Sequence, residues 1–204
     1  MSEIIERSTI IRSVLNVGGN NKGIALPECF AGWRHDLLDI DPSGEPDVLC
    51  DARELIKLPP REYDAIYCSH NLEHYFPHDV PKVLKGFRMV LKKDGFAYIK
   101  VPDLLAVMRT VVEQGLDLED VLYQSPAGPI LVRDVFYGYH VEIERSDCDF
   151  FAHKTGFTEK SLTKALMANG FPHIYSDTAN YEIMALAFPM PPTEYQIKLL
   201  GLKL

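Results

Sequence analysis

The stretch "YDAIYCSHNLEHYFPHDVPKVLKGFRMVLKKDGFAYIKVP", residues 63–102, reads as strand, helix, strand. Its first part, "YDAIYCS" from Tyr63 to Ser69, is a short β-branched and aromatic run, and "GFAYIKVP", Gly95 to Pro102, is another. Between them Val80, Val83, Leu84, Phe87, Val90 and Leu91 recur at helical spacing, lysines fill the opposite face, and Gly95 ends the unit. A helix that connects two strands apolar on both faces is a crossover, and it lays those strands parallel in a sheet covered on both sides.

The same grammar extends in both directions. Upstream, "SVLNVGG" (Ser13 to Gly19), "HDLLDID" (His35 to Asp41, closed by Pro42) and "DVLC" (Asp47 to Cys50) read as three more strands. The segment between the first two, with Pro27 and Gly32 inside it, is too short and broken for a long helix. Downstream, "GFTEKSLTKALMANGF" is a helix with Thr158 as N-cap, Phe157 and Leu162 as a hydrophobic staple and Gly170 as its stop. "HIYSDTANYEIMALAF" then reads as two strands around the turn "SDTAN". Residues 103–151 break the rhythm: "LLAVMRTVVEQG" is helical, but the remainder of that segment, up to Phe151, has no clean period. The expected fold is α/β, a mainly parallel sheet flanked by helices with a terminal antiparallel strand pair. We expect a single domain over residues 1–204 with a lid or insertion at 103–151, and the tail "PMPPTEYQIKLLGLKL" packed on the body.

Composition narrows the partners. With 47% hydrophobic residues the 204-residue chain can build a full core, and a formal net charge of −8 repels a nucleic-acid backbone on average. Charges scattered through "MSEIIERSTIIRSVLNVGG" interrupt any secretion-signal core, and no run is long enough to span a bilayer, so a cytoplasmic location and no membrane partner are expected. Cys29, Cys50, Cys68 and Cys148 stand far apart without a C-x-x-C pair and read as reduced thiols. A small molecule is the simplest partner.

In open parallel sheets ligands lie beyond the carboxyl ends of the strands. Gly18 and Gly19 follow the first strand and let backbone N–H groups approach a ligand, because no Cβ intervenes. Asp39 and Asp41 follow the second, about 20 residues on, the separation at which a carboxylate accepts both ribose hydroxyls. Asp51 and Ala52 follow the third, Ser69 and His70 the fourth. His70, Glu73 and His74 also spell H-x-x-E-H, a zinc signature when it lies on a long helix. Here the motif begins at a strand end and Pro77 stops the following turn, so no metal site is expected.

These pieces, "VLNVGG", "LLDIDPSGEPDVLCDARELIKLPPREYDAIYCSHNLEHY", "VLKGFRMVLKKDGFAYIKVPD" and "HKTGFTEKSLTKALMANGF", resemble a class I S-adenosylmethionine-dependent methyltransferase of the broad type-11 kind, with a Rossmann-like sheet. The resemblance implies S-adenosylmethionine as cofactor and methyl transfer to an acceptor, most simply a small molecule. It implies that Asn16, Gly18 and Gly19 cradle the methionine part, Asp39 the ribose, and Asp51 with Ala52 the adenine, while Ser69 and His70 lie near the methyl group. The loop departs from the family's pattern: Asn16 stands at the acidic position, and Gly18 and Gly19 are adjacent. Lys22 is expected to face solvent or the cofactor carboxylate, away from the cationic sulfur.

Tyr137, Tyr139, His140, Asp149, His153 and Lys154 form a polar and aromatic cluster in the insertion, which we read as an acceptor-binding lid. His70, His140 and His153 are the candidate proton acceptors, since histidine titrates near neutrality. A methyltransferase-like module that holds the cofactor with weak or no turnover is the alternative. A nicotinamide oxidoreductase is disfavoured, because no continuous phosphate-binding helix follows "GGNNKG".

Overall fold

The computed structural model describes residues 11–60, 62–126 and 128–203. Most of the N-terminal stretch considered for export signals, residues 1–10, lies outside them. Among the described residues nine strands are formed: β1 (Ser13–Val17), β2 (Arg34–Asp39), β3 (Val48–Leu49), β4 (Tyr63–Ser69), β5 (Leu91–Pro102), β6 (Val121–Ser125), β7 (Gly128–Leu131), β8 (His173–Ala179) and β9 (Glu182–Phe188). Six α-helices accompany them among the same described residues: α1 (Val80–Val90), α2 (Leu104–Gln114), α3 (Val132–Tyr137), α4 (His140–Ser146), α5 (Glu159–Ala168) and α6 (Glu194–Leu200).

Seven strands make one sheet in the order β3-β2-β1-β4-β5-β9-β8. The first five run parallel, β9 is antiparallel to β5, and β8 is antiparallel to β9, so the α/β class with a terminal antiparallel pair is what the chain forms. Strands β6 and β7 form a separate hairpin within 103–151, the stretch without a readable period.

Both faces of the sheet are covered, but unequally. On one face α1 buries Val83, Leu84, Phe87 and Val90 with Leu162 and Leu166 of α5. Each such side chain removed from water contributes roughly 1.5–3 kcal/mol. The other face carries an aromatic layer in place of a long helix: the rings of Phe30 and Phe96 stack at 6.1 Å, and Trp33, Tyr67 and Tyr98 pack around them. Only the 3-10 helix Glu28–Phe30 occurs between β1 and β2, as Pro27 and Gly32 led us to expect. The tail packs here too: Leu200 and Leu202 join the aromatic layer, and Gln196 Nε2 of α6 donates to the Asp94 carbonyl at 2.7 Å.

Several boundaries differ from the sequence reading. Helix α1 ends at Val90 and β5 begins at once with Leu91, four residues before Gly95, because Leu91 pairs with Tyr63 across a bulge. Strand β2 stops at Asp39, since Asp41 turns the chain by accepting the Ser43 N–H at 2.8 Å. The β8–β9 turn is Asn180-Tyr181, both in the left-handed region (φ 53° and 62°), whereas "SDTA" stays in strand pairing. The four cysteines are free thiols. Among the described residues no helix is long and apolar enough to cross a membrane.

Candidate functional site

From β1 the chain steps outward to β2 and β3, then resumes at β4 on the other side of β1. The topology therefore switches between β1 and β4, and the loops after these strands meet there. Gly18 is left-handed (φ 69°), and its N–H donates to the Leu38 carbonyl at 2.8 Å. A Cβ on Gly18 would overlap the side-chain amide of Asn71, which comes from the loop after β4. Asn71 is held in turn, its Oδ1 accepting the Tyr75 hydroxyl at 3.1 Å.

A cavity of about 360 Å³ opens over this switch point. Of the residues expected to hold a cofactor, Gly18, Asp39, Asp51, Ala52 and His70 line it. Asn16, Gly19 and Ser69 do not: Asn16 is buried beneath Gly19, against which its amide packs, and Ser69 stays in the sheet, paired with Lys100. Asp39 accepts the Asn20 N–H on Oδ2 and the Asp41 N–H on Oδ1, each at 3.0 Å. One backbone donor per oxygen fixes the carboxylate and leaves each oxygen a lone pair. Asp51 is clamped by Arg53, whose Nε lies 3.0 and 2.9 Å from its two oxygens. Partial burial pulls the Asp51 pKa up, but Arg53 outweighs it and the net shift is downward. Lys22 pairs with Asp47 at 2.6 Å.

Other lining residues were not singled out as cofactor contacts: Arg53, Asn71, Tyr75 and Phe76, and, from the insertion and beyond, Phe150 and Lys154. The ammonium of Lys154 lies 5.8 Å from the Phe76 ring centre and 3.2 Å from the Asp149 carboxylate. "YF" directly after "LEH" was a readable signal for an aromatic wall. That Phe150 and Phe76 line one cavity is set by tertiary folding and leaves no local mark.

A second cavity, about 440 Å³, adjoins the first through shared His70, His74 and Phe151. Its walls come from the sheet end (Glu73, Pro102, Glu182), the β8–β9 turn (Tyr181) and the insertion (Tyr123, Asp134, Tyr139, Glu142). Tyr123 and Tyr181 stack at 5.8 Å across it. The Glu73 carbonyl accepts the Lys154 and Thr155 N–H groups at 2.8 and 3.1 Å, which joins the post-β4 loop to the end of the insertion. Gly138 (φ 102°) lets the backbone of α3 approach Phe151, where a Cβ would collide.

The three expected histidines have distinct surroundings. His70, itself left-handed (φ 48°), lies 2.8 Å from Glu182 Oε2 through Nε2 and 3.5 Å from Glu73 Oε1 through Nδ1. Burial pulls its pKa down, but the two carboxylates outweigh that and raise it to about 9. His140 Nδ1 lies 2.5 Å from Oδ1 of the buried Asp134. His153 Nδ1 lies 2.9 Å from the Val135 carbonyl, and burial pushes its pKa down. His153 lines the second cavity, whereas His140 stands behind Asp134 and Tyr139, which do. His74, also read in the motif, places Nδ1 3.1 Å from the Ala152 carbonyl.

Residues 31–99 match a family model described as a methyltransferase domain. A search of curated proteins finds no match. Among solved structures, a SAM-dependent methyltransferase from Archaeoglobus fulgidus is similar at TM-score 0.54 and 16% identity, covering 87% of this chain and 86% of that one. The 1,6-didemethyltoxoflavin-N1-methyltransferase of Burkholderia thailandensis, solved with 1,6-didemethyltoxoflavin and S-adenosylhomocysteine, is similar at 0.53 and 18% over 87% and 70%. A protein from Pyrococcus horikoshii OT3 is similar at 0.56 and 15% over 90% and 84%. The type-11 resemblance read from the motifs is thus matched by the family model over residues 31–99, and the sheet as a whole has the class I methyltransferase fold.

Proposed function

We propose that the chain binds S-adenosylmethionine in the switch-point cavity and transfers its methyl group to a small-molecule acceptor held in the second cavity. The observation that carries this reading is the cradle at Gly18 beside Asp39 at the β1/β4 switch point, in a chain whose residues 31–99 match a methyltransferase domain. Gly18 keeps the loop free of a Cβ where backbone N–H groups would meet the methionine part. Asp39, held by two backbone donors, offers its remaining lone pairs to the ribose hydroxyls. Ala52, Tyr75 and Phe76 supply apolar walls for the adenine, beside an Asp51 carboxylate that Arg53 keeps ionised. When bound, the cofactor supplies a methyl carbon on a cationic sulfur, a leaving group that needs no further activation.

The protein's remaining work is alignment, exclusion of water and removal of a proton from the acceptor. Residues 103–151, read as a lid on a single domain, roof the second cavity. Of the expected proton acceptors, His153 lines the second cavity, with Nδ1–H given to the Val135 carbonyl, whereas His140, held by the buried Asp134, stands behind its wall. His70 is favoured for a charged role, because a pKa near 9 leaves it protonated at neutral pH.

The test uses adenosylhomocysteine as ligand. It should raise the melting temperature in a dose-dependent way, by the equivalent of about 2.7 kcal/mol at a hundred times its Kd. Asp39→Ala should weaken binding about tenfold or more, from the loss of hydrogen bonds to a charged group. Asp41→Ala should matter less, since that carboxylate is spent on the Ser43 N–H. No shift at millimolar ligand would sink the reading.

A further inference from the structure

In the wall of the second cavity three ligating side chains converge: Glu73, His74 and His153, each offering one atom, all within 4.8 Å of one another. Glu73 is 1% exposed, and neither carboxylate oxygen has a hydrogen-bond partner among the described residues. His153 Nε2 is the nearest imidazole atom of the group, 4.0 Å from Glu73 Oε1.

The tautomers follow from the contacts. A backbone carbonyl only accepts, so His74 Nδ1 facing Ala152 O and His153 Nδ1 facing Val135 O must each carry the proton. Each neutral ring then presents a bare Nε2 lone pair. Two rings with a lone pair to give thus stand beside a buried carboxylate that accepts no hydrogen bond, a donor set that a cation would satisfy. His70 pairs with Glu73 from outside the cluster, its Nδ1 3.5 Å from Oε1 and its Nε2 committed to Glu182, and it offers no hydrogen to the two Nε2 lone pairs.

We infer that Glu73, His74 and His153 form a binding site for a single divalent transition-metal ion of the zinc class. Two imidazole nitrogens and one carboxylate oxygen suit such an ion, while calcium and magnesium prefer oxygen throughout. The Nδ1–H groups given to backbone carbonyls are the outer contacts that orient ligating histidines. Ligand bonds of about 2.0–2.1 Å in a tetrahedron place donors roughly 3.3 Å apart, so the three groups close by about 1 Å around the ion. The fourth position opens into the second cavity, where water or an oxygen donor completes the shell. The metal therefore uses only part of H-x-x-E-H: His70 is committed to Glu182 through Nε2, and a histidine about 80 residues downstream takes its place. The inference is independent of methyl transfer, because its test reads metal binding alone.

The full chain, stripped with a chelator, is titrated with Zn2+ by calorimetry and with Co2+ by visible absorption. One ion per chain, with a Co2+ band of four-coordinate intensity, is expected. Glu73→Gln and His153→Ala should each lose more than the roughly 10–100-fold that removal of an outer contact costs. His78→Ala, an exposed histidine outside the cluster, should bind as the parent does. Circular dichroism checks the fold of each variant, and His153→Ala decides where Glu73→Gln unfolds. Absence of stoichiometric binding in the parent would overturn the site, as would binding unchanged in His153→Ala, or a loss in His78→Ala equal to that in His153→Ala.

Discussion

Gly18 joins backbone conformation to the packing of the site. Its φ of 69° costs an alanine about 1–2 kcal/mol, and the Asn71 amide occupies the space a Cβ would need. Gly18→Ala should therefore lower stability by about 1–3 kcal/mol in urea unfolding and displace Asn71 from Tyr75. Adenosylhomocysteine affinity should fall with it, and a variant as stable as the parent would show that the loop relaxes freely. The glycine was legible as a close-approach position from "NVGG" alone. Its partner was not, because Asn71 follows β4 and meets Gly18 only once β1 and β4 are neighbours in the sheet. Asn16 shows the converse: it sits in the cofactor loop by sequence order, yet strand alternation turns its amide down beneath Gly19.

At the scale of elements, those whose ends are fixed by local chemistry were legible, and α5 is the clearest. Thr158 Oγ1 accepts the Ser161 N–H at 3.3 Å, Ser161 Oγ accepts the Thr158 N–H at 2.9 Å, and Gly170 (φ 94°) follows the last turn. Thr158→Ala should cost about 0.5–2 kcal/mol of stability. It should leave adenosylhomocysteine affinity unchanged, because α5 lines neither cavity. A loss of affinity beyond about threefold, with the fold intact, would mean that α5 sets the geometry of the preceding His153. Boundaries decided by partners escaped the sequence. Strand β5 extends back to Leu91 because Tyr63 pairs with it, and β8 runs on through "SDTA" because β9 offers pairing as far as Glu182. In the insertion, the β6–β7 hairpin and the short helices α3 and α4 carry no sustained period. Asp134 illustrates this: it takes the Leu131 N–H at 2.9 Å and the His140 ring, two roles that no spacing rule joins.

Across the whole molecule, carboxylates tie the parallel strands to one another, and this sets how the fold responds to acid. Asp64 of β4 accepts the Ser13 N–H of β1 at 2.9 Å and the Lys92 ammonium of β5 at 2.8 Å, so one side chain holds three neighbouring strands. Asp47, next to β3, accepts the Leu37 N–H of β2 at 2.7 Å and pairs with Lys22. Burial pulls both pKa values up, but these donors outweigh it and both end below the ordinary carboxylate value. A carboxyl whose folded pKa is depressed binds protons more readily when the chain is unfolded. Its stabilisation is complete above the unfolded pKa, near 4, and is lost as pH falls through the folded value. The urea midpoint should therefore stay nearly level above about pH 6 and drop steeply below about pH 4. Asp64→Asn keeps the shape and an acceptor for Ser13 but loses the charge facing Lys92. It should be less stable than the parent at pH 7, and the difference should shrink toward zero near pH 2, where the parent's carboxyl is also neutral. If the gap were the same at both pH values, the Asp64 charge would not be what joins β1, β4 and β5, and the loss would belong to packing alone.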